Sequence, residues 1–136
     1  MEYKNGVIPD RNQICNLYSD AGWIKYLENI DGLVRGYNKS NYIETVWNNE
    51  ELIGVIRCIG DGETISYIQD IIVKKNFQRN GIGRKLIKNY LENNKHIRQI
   101  VLLTDDREEV KAFYKSCKFK LVEDFNLKSF IFLGNN

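Results

Sequence analysis

One stretch of the chain, residues 67–94, constrains the fold more than any other part of the sequence. It begins with an apolar run at residues 68–73 that is rich in Ile and Val and short enough to be one strand. A mostly polar segment and Asn80-Gly81-Ile82-Gly83 follow, and apolar residues then recur at helical spacing, at Ile82, Leu86, Ile87, Tyr90 and Leu91. The stretch therefore predicts a strand that leads through a glycine-containing loop directly into a helix.

Such a loop is suited to binding a phosphate. The first turn of a helix leaves backbone N–H groups without partners and carries the positive end of the helix dipole, so an anion placed there is stabilised. Gly81 and Gly83 would let a ligand approach the main chain where a Cβ would block it. Arg79, Arg84 and Lys85 add mobile positive charge around the loop. We therefore predict that the ligand is a diphosphate.

Two familiar phosphate-binding loops do not fit these residues. A P-loop requires Lys and then Ser or Thr after its last glycine, and neither Gly81 nor Gly83 is followed in that way. A dinucleotide-binding loop requires a third glycine, and this chain has Leu86 at that position. Gly-x-Gly before a helix also occurs as ordinary turn chemistry, and this is the alternative to a binding loop.

The loop does resemble that of one known family. Gln78-x-x-Gly81-x-Gly83, after an apolar strand that ends at Val73, resembles the coenzyme A loop of the GNAT acyltransferases. If the resemblance holds, the loop grips the diphosphate of a thioester carrier.

A second segment, residues 112–119 (Ala-Phe-Tyr-Lys-Ser-Cys-Lys-Phe), resembles the helix-to-strand signature of the same family. It departs from that signature at Lys118, where the family usually has a glycine that closes the helix in a left-handed conformation. We expect Lys118 to add strain or a different helix end. Arg107 stands near the place where the family frequently has Asn.

The pattern along the rest of the chain predicts a mixed α/β sheet, in an order that matches the GNAT family along nearly its whole length. Asp10 is suited to cap a helix that Ala21-Gly22 ends, and a broken helical region follows. The resemblance implies the α/β (α+β) GNAT-type N-acyltransferase fold in one domain, residues 1–136, with about four helices and a mostly antiparallel sheet of about six or seven strands. We predict strands at residues 2–9, 42–47, 52–59, 64–73, 99–103, 119–123 and 127–133, and later helices at residues 82–91 and 108–117.

The resemblance implies an N-acetyltransferase that moves an acetyl group directly from acetyl-CoA to a primary amine of a small molecule or protein. The cosubstrate would be held by Ile71, Ile72, Val73, Gln78, Arg79, Asn80, Gly81, Ile82, Gly83 and Arg84. Tyr114 falls where many members keep a general acid, and a phenol is protonated at neutral pH and can donate to a leaving thiolate. The alternative for Tyr114 is a half-buried aromatic residue that only packs.

The general base is not evident from the sequence. Several members have an acidic residue or His where this chain has Gln69, which cannot take a proton at neutral pH. Asp70 is adjacent, but strand alternation turns it to the opposite face unless a bulge intervenes, so we interpret it as hydrogen-bonded or ion-paired. A water chain that carries the proton to Glu63 is an open alternative.

A second function is also left open, a non-catalytic acyl-CoA-binding or sensing module on the same fold. Trp23 and Tyr26 are either substrate wall or core.

The composition of the chain excludes several other classes of protein. With 43% hydrophobic residues and a net charge of +2, the chain is an ordinary globular domain without the basic patch of a nucleic-acid-binding protein. Its three cysteines are far apart and it has a single histidine, so neither a disulfide framework nor a metal site is predicted. No signal peptide or membrane span is evident, so we expect a cytoplasmic protein without membrane partners. Abundant Asn, Lys and Ile hint at a bacterial source. The oligomeric state stays open, a homodimer included.

Overall fold

The computed structural model describes residues 1–134. The chain divides into two compact units, Met1–Leu103 and Thr104–Asn136. The first unit holds a five-stranded sheet in which the strands lie side by side in chain order. Neighbouring strands are antiparallel up to the fourth, and the fifth is parallel to the fourth, so the predicted mixed, mostly antiparallel sheet is confirmed. The strands are β1 (Glu2–Asn5), β2 (Tyr42–Asn48), β3 (Glu51–Gly60), β4 (Ile65–Val73) and β5 (Gln99–Leu102).

The helices begin and end where local chemistry favours it. The Asp10 carboxylate accepts a hydrogen bond from the Gln13 backbone N–H at 2.9 Å and so caps the first helix, as predicted. Gly22, in the left-handed region at φ +75°, ends that helix. The helices are α1 (Arg11–Ala21), α2 (Ile24–Leu27), α3 (Ile30–Lys39), α4 (Ile82–Asn93) and α5 (Glu108–Ser116), with 3-10 turns at Lys75–Phe77 and Val122–Phe125.

Helices cover both faces of the sheet because β2 alternates its side chains between them. Ile43 joins the core formed with α1 and α3, whose other members are Ile14, Leu17, Tyr18, Leu33, Tyr37, Leu52, Val55 and Ile72. The flanking residues Tyr42 and Glu44 face α4, where they contact Tyr90 and Asn89. The sheet that contains β4 is therefore covered by helices on both faces, and β4 leads into the glycine loop.

The strands predicted at residues 119–123 and 127–133 are wrong for the described part of the chain. Residues 122–125 form a 3-10 turn instead, and residues 127–133 are assigned no strand. A strand exists only where a second strand accepts and donates its backbone hydrogen bonds, and alternation in one segment cannot supply that partner. The first strand is also shorter than predicted, because Gly6 turns the chain at φ +77°. Among the described residues, no helix is long and apolar enough to cross a membrane.

Lys118 closes α5 in the conformation expected of a glycine. Its φ is +73°, and the Phe119 N–H donates to the Tyr114 carbonyl at 3.0 Å, which is the Schellman arrangement. The predicted strain is thus present, since a side chain in the left-handed region costs about 1 kcal/mol.

We expect Lys118→Gly to raise the free energy of unfolding by about 0.5–1 kcal/mol, because it removes this strain. Urea denaturation measures the change. Lys120→Gly is the control, since Lys120 does not have positive φ. There the substitution adds chain entropy to the unfolded state and removes the contact of Nζ with the Phe125 ring, 5.9 Å from its centroid, so it should lower stability. Equal effects of the two variants would contradict the assignment of strain to Lys118.

Candidate functional site

The end of β4 has a free edge. Pairing between β4 and β5 runs only from Ile65↔Gln99 to Ile68↔Leu102, whereas β4 stays paired with β3 as far as Val73. Within the described chain, residues 69–73 therefore have no strand partner on the β5 side. The main-chain groups of Ile71 to Val73, which sequence analysis assigned to a cosubstrate, lie in this splayed region. An extended ligand could add here as a strand would.

Amide side chains tie the loop after β4 back to the strand. Gln78 Nε2 donates to the Val73 carbonyl at 2.9 Å, and Asn80 Nδ2 donates to the carbonyls of Phe77 (3.2 Å) and Gln78 (3.3 Å). Arg79 is held in the left-handed region at φ +65°. The predicted binding residues Gln78 and Asn80 thus shape the loop by binding its main chain.

The loop ends at an uncapped helix N-terminus. Gly81 precedes α4 with φ +78°, no side chain caps the helix, and its first turn contains no acidic residue. A Cβ placed on Gly81 would meet no described atom within 4 Å, so the space above the helix start is open. Gln78, Arg79, Asn80 and Gly81 are exposed, whereas Ile82 is buried and anchors the helix. The described chain thus has the uncapped helix start and the open space on which the prediction of a bound diphosphate depends.

Some of the positive charge near the loop has other partners. Lys85 Nζ lies over the Tyr3 ring, 4.3 Å from its centroid, so Lys85 is not the mobile rim charge that was expected. Lys74 Nζ pairs with Glu51 Oε2 at 2.9 Å, and its side chain is only 12% exposed. The Lys75 backbone N–H donates to Asp20 Oδ2 at 2.8 Å, which joins the loop to α1. Arg79 and Arg84 add further positive charge at the loop, and both are exposed.

A β-bulge decides where the middle of β4 points. Arg57 pairs with Asp70 and Cys58 with Ile68, so Gln69 has no partner on β3. The bulge brings Gln69 and Asp70 to the same hydroxyl: Gln69 Nε2 donates to Tyr26 Oη, which in turn donates to Asp70 Oδ1 at 2.7 Å. Asp70 therefore does not point away from Gln69, as it would in a strand without a bulge.

Asp70 is the centre of a buried polar network. It is 1% exposed, and its Oδ2 accepts from Tyr18 Oη and Arg57 Nε, each at 2.8 Å. Tyr37 Oη lies 2.8 Å from Tyr18 Oη, and its ring lies under the Arg57 guanidinium. The interpretation of Asp70 as a hydrogen-bonded, ion-paired group is confirmed. Three donors already occupy its oxygens, which favours a structural role over proton abstraction.

The tyrosines of this network are neutral donors at physiological pH. Burial, and then the charge of Asp70, raises the pKa of Tyr26 to about 12. Burial raises the pKa of Tyr18 well above its ordinary value, with further increases from Tyr37 and Asp70. Tyr26 also stacks on Trp23 with ring centroids 5.9 Å apart, and both side chains are half-buried. Together they form a partly exposed aromatic wall near Gln69.

Sequence reasoning missed Arg57, although a signal was present. Arg57 interrupts the otherwise apolar run of β3, and a charge at a buried strand position requires a buried partner. Asp70 interrupts β4 in the same way. Pairing the two interruptions would have suggested this ion pair.

Tyr114 lies on α5, in the second unit. Its ring is half-buried and packs edge-on against Phe113 and Phe119, at centroid distances of 5.1 and 5.9 Å. Burial, and then the neighbouring Cys117, raises the pKa of Tyr114 to about 12. Its hydroxyl therefore carries a proton throughout the neutral range. This is the state that an acid requires, and it is equally the state of a packed aromatic residue.

The acidic cluster before and within the first turn of α5 is engaged by basic side chains. Arg107 Nη1 pairs with Glu109 at 3.0 Å, and Lys111 Nζ pairs with Asp106 (2.9 Å) and Glu108 (3.0 Å). These acidic side chains are largely exposed, and Glu108 and Glu109 stand in the first turn, where they favour the helix dipole.

Comparison with known proteins identifies a matching domain. Residues 40–121 match the sequence model of the acetyltransferase (GNAT) domain. A protein of Gibberella zeae that is named as an acetyltransferase is 30% identical over 79 residues, which cover 56% of this chain and 44% of that protein. The chain thus matches less than half the length of this curated relative.

Solved structures extend the similarity to nearly the whole chain. A GNAT family acetyltransferase from Streptococcus pneumoniae is 28% identical, with a TM-score of 0.87 over 99% of this chain and 98% of its own. A protein of unknown function from meticillin-resistant Staphylococcus aureus has the same fold, with 24% identity and a TM-score of 0.73 over 97% of this chain and 100% of its own.

Proposed function

Because the chain belongs to the GNAT acetyltransferase family, we propose that it is an acetyl-CoA-dependent N-acetyltransferase. It moves an acetyl group directly from the thioester to a primary amine of a small molecule or protein. One observation carries this proposal: the free edge of β4 leads into a glycine loop and an uncapped helix N-terminus. An extended chain that ends in a diphosphate matches both parts.

In this proposal, coenzyme A binds along β4 and over the start of α4. The main chain of Ile71, Ile72 and Val73 holds the pantetheine amides, since this part of β4 has no strand partner on the β5 side in the described chain. The amides at the start of α4 bind the diphosphate, and the loop side chains contribute around it. The residues of this loop are Gln78, Arg79, Asn80, Gly81, Ile82, Gly83 and Arg84. The open space at Gly81 supports this placement.

The reaction requires three events. A neutral amine attacks the thioester carbonyl, and its lone pair forms the new C–N bond. A main-chain N–H of residues 71–73 polarises the carbonyl oxygen as negative charge develops on it. The C–S bond then breaks, and Tyr114 donates its phenolic proton to the leaving thiolate. The phenol is neutral at physiological pH, and the motif around Tyr114 supports its assignment as the acid.

The acceptor arrives beside the bulge in β4. Trp23 and Tyr26 form one wall of its site, next to Gln69. Gln69 cannot take the amine proton and Asp70 is already bonded to three donors, so the proton leaves through water. Glu63, in the exposed turn after Asp61, is the nearest carboxylate in sequence that could receive it. The enzyme therefore acts on amines that are partly neutral at its working pH.

A panel of amines, with release of free thiol from acetyl-CoA as the readout, tests activity and acceptor class together. We expect at least one primary amine to release thiol in proportion to the acetylated product. Absence of binding in isothermal titration at millimolar acetyl-CoA would remove this proposal. Binding without turnover on any amine would instead favour a sensing module. The observation that favours this second candidate is that Asp70, the carboxylate at the bulge, already accepts from three donors.

For an accepted amine, we expect Tyr114→Phe to lower kcat about 100-fold, because positioned acids contribute rates of this order. The affinity for acetyl-CoA, measured by titration, should stay within about twofold. Tyr3→Phe is the matched control, since Tyr3 is another half-buried tyrosine and has no assigned role in the chemistry. Unchanged turnover in Tyr114→Phe would show that Tyr114 is not the acid.

A further inference from the structure

The hydrogen bonds of Tyr26 fix which end of the Gln69 side-chain amide faces it. Asp70 is ion-paired with Arg57, and a carboxylate can only accept hydrogen bonds. Tyr26 Oη lies 2.7 Å from Asp70 Oδ1 and therefore donates its single proton to that oxygen. Tyr26 keeps this proton in the neutral range, since burial and then the charge of Asp70 raise its pKa to about 12.

Because its proton is bound to Asp70, Tyr26 Oη can only accept from Gln69. The amide must turn its NH₂ group toward Tyr26, and Gln69 Nε2 is the donor in this contact. The opposite orientation would place two acceptors, Gln69 Oε1 and Tyr26 Oη, against each other. The ion pair of Asp70 with Arg57 thus sets the orientation of an amide that it does not touch.

The Oε1 atom of Gln69 remains available as an acceptor. Within the first unit, Gln69 makes one side-chain hydrogen bond, and that bond uses Nε2. Gln69 also lies at the bulge, where β3 offers it no pairing partner. Beside it is the aromatic wall of Trp23 and Tyr26, whose rings stack at an interplanar angle of 26°. A carbonyl oxygen of fixed direction therefore stands next to this wall.

We propose that Gln69 Oε1 accepts a hydrogen bond from an N–H of the acceptor amine, and that Tyr26 is the positioning residue that orients it. This inference rests on the proposed function, because it takes an amine to arrive beside the bulge. Trp23 and Tyr26 then contact the carbon frame of the amine, while Gln69 sets the direction of its nitrogen.

The hydrogen bond to Gln69 strengthens as the reaction proceeds. The amine nitrogen is neutral before attack and becomes positive when its lone pair forms the C–N bond. A hydrogen bond from a charged donor is roughly twice as strong as a neutral one, so Gln69 stabilises the transition state more than the bound substrate. Gln69 takes no proton, and the proton of the amine still leaves through water.

This contact favours primary over secondary amines. A neutral primary amine has two N–H groups, so one can stay bonded to Gln69 while the other loses its proton to water. A secondary amine has a single N–H, and the contact with Gln69 ends when that proton leaves. Gln69 thus contributes to the choice of acceptor as well as to the rate.

Steady-state kinetics of Gln69→Leu on an accepted primary amine test the contact. We expect kcat/KM to fall at least about 10-fold, mainly through kcat, because a hydrogen bond to a charged donor is lost. The preference of the wild-type protein for this amine over its N-methyl derivative should shrink in the variant. Gln99→Leu is the control, since Gln99 is another strand glutamine and pairs with Ile65, away from the bulge. It should keep the wild-type kcat/KM and preference.

Tyr26→Phe tests the role of Tyr26, because Phe keeps the ring and removes only the hydroxyl. We expect kcat/KM to fall at least about twofold, since the freed amide presents Oε1 to the amine for only part of the time. Adding Tyr26→Phe to Gln69→Leu should cause no further loss, because both remove the same contact. Tyr18→Phe is the matched control: it also removes one donor from Asp70 but does not touch Gln69. It should lower stability and leave kcat/KM unchanged.

NMR relaxation of the Gln69 side-chain amide gives a readout that needs no turnover. We expect this amide to be ordered in the wild-type protein and in Tyr18→Phe, and mobile in Tyr26→Phe. Equal mobility in all three proteins would contradict the fixed orientation. Losses in kcat/KM that add up in the double variant would show that Tyr26 does not act through Gln69.

The inference and the proposed function fail in different ways. If the wild-type protein acetylates an amine and Gln69→Leu does so equally well, Gln69 does not contact the acceptor, and the proposed function stands. If the wild-type protein acetylates no amine, the proposed function fails and the role of Gln69 fails with it.

Discussion

Asp70→Asn should lower the free energy of unfolding by about 3–5 kcal/mol, the usual effect of removing one member of a buried ion pair. The substitution leaves the Arg57 guanidinium, whose side chain is 7% exposed, without its anionic partner. Tyr18 donates to Oδ2 and Tyr26 to Oδ1, and Asn keeps only one of these two oxygens as an acceptor, so one hydroxyl loses its acceptor and the other donates to a neutral, weaker one. A loss of this size is a large fraction of the stability of a domain of this length.

Denaturant unfolding of the wild-type and variant proteins measures this loss. Asp105→Asn is the matched control, because the Asp105 side chain is 80% exposed and its contact with Arg107 is long, at 3.8 Å. We expect that control to change stability by less than about 0.5 kcal/mol. Near-equal stability of the Asp70 and Asp105 variants would mean that the network around Asp70 contributes little to the fold.

The location of this network explains what the sequence alone could and could not predict. The strand, loop and helix of residues 68–91 follow from local periodicity, and α4 starts at Ile82 as that periodicity indicates. By contrast, Tyr26 and Asp70 are 44 residues apart, and no local pattern brings them together. The bulge at Gln69 depends on how β4 pairs with β3, which is a property of two strands and not of one.

The distinction between local patterns and strand pairing also explains why the strands predicted at residues 119–123 and 127–133 are wrong. Residues 127–133 have the composition of a strand, but a strand also requires a partner strand. The sequence of one segment does not identify that partner. The helix end at Lys118 was predictable because its closure is local and follows from one residue type at one position. Features that depend on local chemistry could thus be predicted from the sequence, whereas strand pairing could not.

The second large effect is expected at Gly81. Gly81→Val should weaken binding of acetyl-CoA at least about 100-fold, equivalent to roughly 2.7 kcal/mol. The new side chain would occupy the open space above α4 that the proposed diphosphate requires. A β-branched residue at φ +78° is also strained, and relieving that strain would turn the first amides of α4 away from the ligand.

Gly62→Val is the control for the general effect of placing Val at a glycine with positive φ. Gly62 has nearly the same backbone conformation, φ +76°, and a Cβ there would likewise meet no described atom within 4 Å. It lies in the turn between β3 and β4, outside the proposed cofactor loop. Both variants should lose similar stability in denaturant unfolding, whereas only Gly81→Val should lose acetyl-CoA affinity in isothermal titration. If the two variants bind acetyl-CoA equally well, the diphosphate does not sit at the start of α4, and the cosubstrate assignment for residues 78–84 fails with it.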